Sequence, residues 1–222
     1  MKVFENHFKG ITNLEKKFFQ KQHLYKFRCG DAFLKSIEEF KFKVDWNKCQ
    51  RLKGFNKFKG SRVFYGKNFS LKNEESLCEL HKWIEECLYK VKEDIEPYKK
   101  NISQLLISQS WMNCSSKGEV HNIHTHTLSI LSGILYLTEP SNTIFHFDSI
   151  YGNQFLFPKE DFFETYNYQA KKGELIIFPS TVPHYVGPHL DNKPRYSMAF
   201  NTWFKGSMGN KYTANYIPKE FT

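Results

Sequence analysis

The sequence predicts a mainly β protein with an N-terminal α/β portion, its core an antiparallel sandwich or jelly roll flanked by helices. Three observations predict it. From residue 102 onward apolar residues recur at about every second position, in short runs punctuated by Gly, Pro, Asn and Ser. One long stretch, 70–96, repeats instead at 3.6-residue spacing. The chain is 222 residues long, 40% hydrophobic and 17% aromatic, enough to bury one substantial core.

Residues 1–72 hold 18 Lys or Arg against 6 acids, residues 73–100 hold 5 against 8, and residues 101–222 balance at 9 against 9, so the net charge of +9 sits in the N-terminal third. Lys and Phe alternate thickly there. The segment reads either as a basic, aromatic surface suited to phosphates and bases, pointing to nucleic acid or a protein as partner, or as core Phe with solvated Lys. Residues 1–100 are taken as a basic extension and 101–222 as the functional core, together one compact unit. The clearest helix follows at 73–96. Leu77, Leu80, Ile84, Cys87, Leu88, Val91 and Ile95 form its apolar stripe, Asn73 is its expected N-cap, and Pro97 stops it. The expected strands are 102–113, 120–126, 129–137, 143–148, 162–169, 174–178, 183–187 and 195–204. No apolar run approaches the ~20 residues of a membrane span, and the first residues lack a signal-peptide core, so the expected location is cytoplasmic. Five cysteines without a C-x-x-C read as reduced and structural.

The run 120–126 places His124 and His126 two residues apart. In a strand both imidazoles share a face, with Asn122 beside them. Burying such a pair is costly unless a divalent metal lies between. A third imidazole, His184, ends Leu175-Ile-Ile-Phe-Pro-Ser-Thr-Val-Pro. Eleven residues on begins Arg195-Tyr-Ser-Met-Ala-Phe-Asn-Thr-Trp203, with Arg195, Ser197 and Asn201 on one face and Tyr196, Met198 and Phe200 on the other. A guanidinium facing into a barrel calls for a carboxylate partner.

These motifs together resemble the iron- and 2-oxoglutarate-dependent oxygenases, and most closely the H-x-H members found in bacteria and tailed phages. The matching pieces are Trp111 and Asn113, His124 and His126, Leu131-Ser-Gly-Ile-Leu-Tyr-Leu137, the stretch from Gly173 to His184, and Arg195 to Asn201. They cover roughly the C-terminal half. The resemblance implies a double-stranded β-helix (jelly-roll, cupin-like) core with Fe(II), 2-oxoglutarate and O2 as cofactors, and oxidation of a substrate C–H coupled to decarboxylation of 2-oxoglutarate. It makes His124 the first metal ligand and His184 the distal one. His126 stands where most relatives carry a carboxylate, which leaves the site one negative charge short. Asp148 is the alternative carboxylate, but only His126 is brought close by its spacing alone. His121, His146 and His189 read as hydrogen-bonded structural residues. Arg195 and Ser197 would hold the far carboxylate of 2-oxoglutarate, with Asn113, Asn201 and Gln109 as further polar contacts, and 115–119 and 149–163 would be lids. Two other readings compete. One is a three-His cupin dioxygenase indifferent to 2-oxoglutarate, against which Arg195 and Ser197 argue. The other is a non-catalytic cupin-like module.

Overall fold

Each of the eight runs expected as strands beyond residue 101 contains one. The computed structural model describes residues 15–19, 22–54, 57–64, 71–148, 163–209, 212 and 216–217. In chain order the elements are β1 (Glu15–Phe19), β2 (Gln22–Arg28), α1 (Asp31–Lys43), β3 (Gln50–Arg51), β4 (Arg62–Phe64), a 3-10 turn (Glu75–Leu77), α2 (Cys78–Asp94), α3 (Glu96–Asn101), β5 (Ile102–Ser115), β6 (His121–His124), β7 (Leu131–Tyr136), β8 (Ser141–Asp148), β9 (Phe163–Ala170), β10 (Glu174–Pro179), β11 (His184–Val186), β12 (Arg195–Gly206), β13 (Met208–Gly209) and β14 (Tyr216–Ile217). An eight-stranded sheet runs β1-β2-β10-β7-β12-β5-β4-β3 and faces a four-stranded sheet β6-β11-β8-β9, with every strand pair antiparallel. Two packed antiparallel sheets of this kind are the expected jelly-roll core.

Alternation assigns the two faces of the large sheet to different neighbours. Tyr25, Phe27, Leu135, Leu175, Ile177, Met198 and Phe200 join Leu34 and Ile37 of α1 and Leu80, Ile84, Leu88 and Val91 of α2 in one cluster. Leu24, Tyr136, Ile176 and Phe178, from the same strands at the opposite parity, meet Phe145, Tyr168 and Val182 between the sheets. A strand buried on both faces needs apolar residues at every position, which is why Leu175-Ile-Ile-Phe178 does not alternate. Where β7 and β12 pair, Gly133 lies opposite Phe200, and a Cβ at 133 would come 2.2 Å from the Phe200 ring.

Three sequence expectations need correction. Asn73 does not cap the long helix: α2 begins at Cys78 after the 3-10 turn, with Leu77 at the N-cap and no side-chain cap bond. Pro97 does more than stop it, because it sits in the first turn of α3, where a missing N–H costs nothing. The run 120–126 is not one strand, since β6 ends at His124 and His126 lies beyond it. The cysteines are free, with Cys29, Cys87 and Cys114 buried. Among the described residues no helix is long and apolar enough to cross a membrane.

The basic N-terminal segment takes part in both edges of the large sheet. β2 pairs with β10 on one side and β4 with β5 on the other. Residues 52–54 and 59–61 then lie beside the small sheet: Leu52 N donates to Ser61 O, Ser61 N to Val120 O and Val120 N to Lys59 O, and the Asn122 amide donates to the carbonyls of Lys53 and Gly54. This pins a basic stretch against the strand that carries His124.

Candidate metal centre and co-substrate pocket

His124 and His184 face each other because β6 and β11 pair in register at those two residues. His126, past the strand end, is brought to them by its backbone N–H, which donates to Ser180 O at 2.9 Å. The ligating nitrogens of His124, His126 and His184 all lie within 4.8 Å of one another. The Nδ1–H of His124 donates to Asn122 O at 2.7 Å and that of His184 to Val182 O at 3.0 Å, which leaves each Nε2 with its lone pair turned to the centre. His126 is hydrogen-bonded by the Asn201 side chain. Its Nε2 stands 3.2 Å from that of His184.

Burial keeps all three imidazoles neutral. It lowers His124, drives His184 well below the usual range with help from His124, and pulls His126 down to about 4, again with His124 as second cause. Neutral imidazoles aimed at one point from under 5 Å repel through their lone pairs until a cation joins them, so the donor set fits a divalent transition metal. Phe145 and Phe178 pack on the His184 ring and Trp111 stacks on His126 at 5.5 Å between centroids.

Arg195 lies in the same pocket, 5% exposed. Its Nη1 donates to Asn142 O and its Nη2 to Ser115 Oγ, both at 3.3 Å, while Nε has no partner. No carboxylate among the described residues faces it, and burial lowers its pKa to about 10. A buried guanidinium so weakly satisfied is a receptor for a ligand carboxylate. Ser197 and Asn113 stand beside it, the Asn113 amide donating to Ser197 Oγ at 3.4 Å while Asn113 Oδ1 has no partner. Tyr136, whose OH donates to Thr143 Oγ1 at 2.8 Å, and Thr143 itself complete this end.

The remaining expected residues divide clearly. Asn201 lies on the predicted face of β12 but serves His126 rather than the arginine end. Gln109 is exposed and outside the pocket lining. Asp148 closes β8 beyond Phe145, the residue that pairs with His184, and its side chain is outside the described residues. Of the expected lids, 149–162 lie outside the described residues, while 115–119 form a tight turn in which Glu119 pairs with Arg51 and accepts from Ser116 N at 2.9 Å. His189 is a structural residue as expected, its Nε2–H donating to Lys193 O at 2.7 Å. His121 is not: it lines the pocket. Tyr136 and Thr143 were also missed, although Tyr136 lies within the matched motif. So were Ser132 and Ser180, whose hydroxyls are 2.8 Å apart and continue to Asn201 Oδ1, making a buried chain behind His126.

Residues 109–201 match the family described as "Putative 2OG-Fe(II) oxygenase". The chain carries a 2OG-Fe(II) oxygenase domain. The protein is thus a 2-oxoglutarate-dependent oxygenase, with Fe(II), 2-oxoglutarate and O2 as its cofactors. No curated protein matches the sequence. Among solved structures, a Pseudomonas putida prolyl-4-hydroxylase is similar at 14% identity and a TM-score of 0.56, over 84% of this chain and 93% of that one. HygX from Streptomyces hygroscopicus, solved with nickel and 2-oxoglutarate bound, is similar at 11% identity and 0.53, over 81% and 82%. The viral collagen prolyl hydroxylase of Paramecium bursaria Chlorella virus-1, in complex with 2-oxoglutarate, is similar at 13% and 0.51, over 81% and 94%. At these identities the likeness establishes the double-stranded β-helix fold of the oxygenase.

Proposed function

We propose that this oxygenase holds Fe(II) with a three-histidine set, His124, His126 and His184, and binds the far carboxylate of 2-oxoglutarate at Arg195 and Ser197. One observation carries the reading: three Nε2 atoms converge at one end of a pocket whose other end holds a buried guanidinium with no acid partner. Iron bound there supplies activation of dioxygen at the expense of the 2-oxo acid, for oxidation of a substrate C–H. The chain's own part is to orient. Asn122 O and Val182 O fix two imidazole tautomers, Asn201 and the Ser132–Ser180 pair hold the third, and Arg195 fixes the co-substrate's direction by charge. Trp111, Phe145 and Phe178 exclude water around the imidazoles. Residues 101–222 form the catalytic core in this reading and residues 1–100 a continuous extension of it.

The substrate is proposed to be nucleic acid. Lys53, Lys57 and Lys59 are exposed, have no acid partner among the described residues, and sit on the segment pinned beside β6. Phosphate binding by these lysines predicts an affinity for single strands that falls steeply with salt. Retention of an acidic protein instead, or salt-independent absence of binding, refutes this assignment.

The metal reading is tested by adding Fe(II) anaerobically and recording the visible spectrum with and without 2-oxoglutarate. The expected result is a weak charge-transfer band in wild type that fades in Arg195→Ala. Iron binding without a band at saturating 2-oxoglutarate refutes it, and favours a cupin-type dioxygenase that binds its substrate directly.

A further inference from the structure

His121 belongs to the pocket because of a fault in strand pairing. β6 and β11 are antiparallel, with His184 opposite His124; regular pairing would set Val186 opposite Asn122. Val186 instead pairs with His121, so β6 carries one extra residue there. Such a bulge re-aims side chains, and bulges gather beside active sites for that reason. Two residues three apart in a flat strand point to opposite faces. Here the bulge turns His121 and His124 to the same side, with ring centroids 4.6 Å apart and planes within 12°. The extra length is absorbed outward: Ile123 is 57% exposed, and the Asn122 amide binds the Lys53 and Gly54 carbonyls.

The His121 ring lies in the pocket lining together with Arg195, Tyr136 and Val186. Neither of its nitrogens has a hydrogen-bond partner among the described residues. It is also absent from the group of side chains whose nitrogens converge, which holds His124, His126 and His184 alone. A bulge that costs a ladder hydrogen bond, and brings an unpaired imidazole into a pocket already holding three, has aimed a donor at the pocket's contents.

We propose that His121 is a co-substrate-binding residue, its ring N–H donating to the carboxylate of 2-oxoglutarate at the metal end while Arg195 takes the far one. The assignment rests on the three-histidine reading above. It gives the co-substrate a donor at each end, and a neutral donor at the metal end suits a ligand set that has no carboxylate of its own to compete with. Stacked on His124, the ring is held rigid without being a ligand.

The test is an anaerobic titration of Fe(II)-loaded protein with 2-oxoglutarate, read by the charge-transfer band, with iron affinity measured separately by chelator competition. His121→Phe keeps the stacking surface and loses the donor; His121→Asn keeps a donor and loses the ring. His121→Phe is expected to bind iron as wild type does and 2-oxoglutarate about ten-fold more weakly, the size of one hydrogen bond to a charged group, with His121→Asn recovering part of the loss. Equal 2-oxoglutarate affinity in His121→Phe and wild type overturns the inference, as does a loss confined to iron affinity, which would make His121 a ligand or a prop for His124. Wild type that takes iron but never 2-oxoglutarate overturns the three-histidine reading as well.

Discussion

The two faces of the large sheet are built from the same strands and solve opposite problems. On the outer face Met198 and Phe200 of β12 meet α1 and α2 in a continuous apolar layer. On the inner face, one residue out of step, Arg195, Ser197 and Asn201 serve a pocket in which Arg195 Nε and Asn113 Oδ1 are left without partners. Burial on the outer face removes apolar surface from water at roughly 25 cal/mol per Å². The inner face spends some of that stability to keep polar groups dry and aimed. Along β12, then, stability and chemistry are separated by strand parity and not by distance along the chain.

The largest effect that would break this separation lies on the outer face. Phe200→Ala removes a fully buried ring from the helix-facing layer and is expected to cost about 3–5 kcal/mol of unfolding free energy, read by denaturant titration, with 2-oxoglutarate affinity of the folded fraction unchanged. A comparable loss of affinity would mean that the two faces are coupled. Arg195→Ala should do the reverse. Loss of a charge-paired anchor is expected to weaken 2-oxoglutarate by about 100-fold or more, while stability holds or rises, because a poorly satisfied buried charge has been removed. Asn201→Ala probes support for the metal end and should lower iron affinity about ten-fold, measured by chelator competition, with little change in stability.

The most gradual effect is on pH. His126 is held at about 4 in the metal-free fold against an ordinary 6.5, so between those values the unfolded chain binds a proton that the folded one refuses. The stability His126 contributes to the metal-free protein therefore falls as pH drops from about 6.5 to about 4, then levels off. Burial lowers His124 and His184 in the same direction. Bound metal, which holds the imidazoles unprotonated, should extend that fall to lower pH, and Phe200→Ala should leave its shape alone. A pH-independent stability across the window would show that these imidazoles are not held neutral.

The sequence revealed the two faces of β12 directly, because alternation is local and needs no knowledge of the partner strand. It revealed His124, His126 and His184 through their contexts. It could not reveal His121, since a bulge is a property of two strands in register and β11 lies some sixty residues away from β6. The same limit hid β1 to β4, short runs each carrying Lys or Arg that form strands only because the edges of a sheet made by later residues accept them. Asn73 was misplaced as a cap because a helix start depends on where the preceding chain docks, here through a 3-10 turn ending in the buried Leu77.

Gly133 and Phe200 carry a consequence for the history of the fold. The ring of one occupies the space where any side chain on the other would begin. Neither position can change freely on its own: an alanine at 133 demands a smaller residue at 200, and a vacated 200 removes the need for glycine. Across descendants of this chain the two should therefore mutate as a couple, leaving a covariation between sites 67 residues apart that traces the pairing of β7 with β12 from sequences alone.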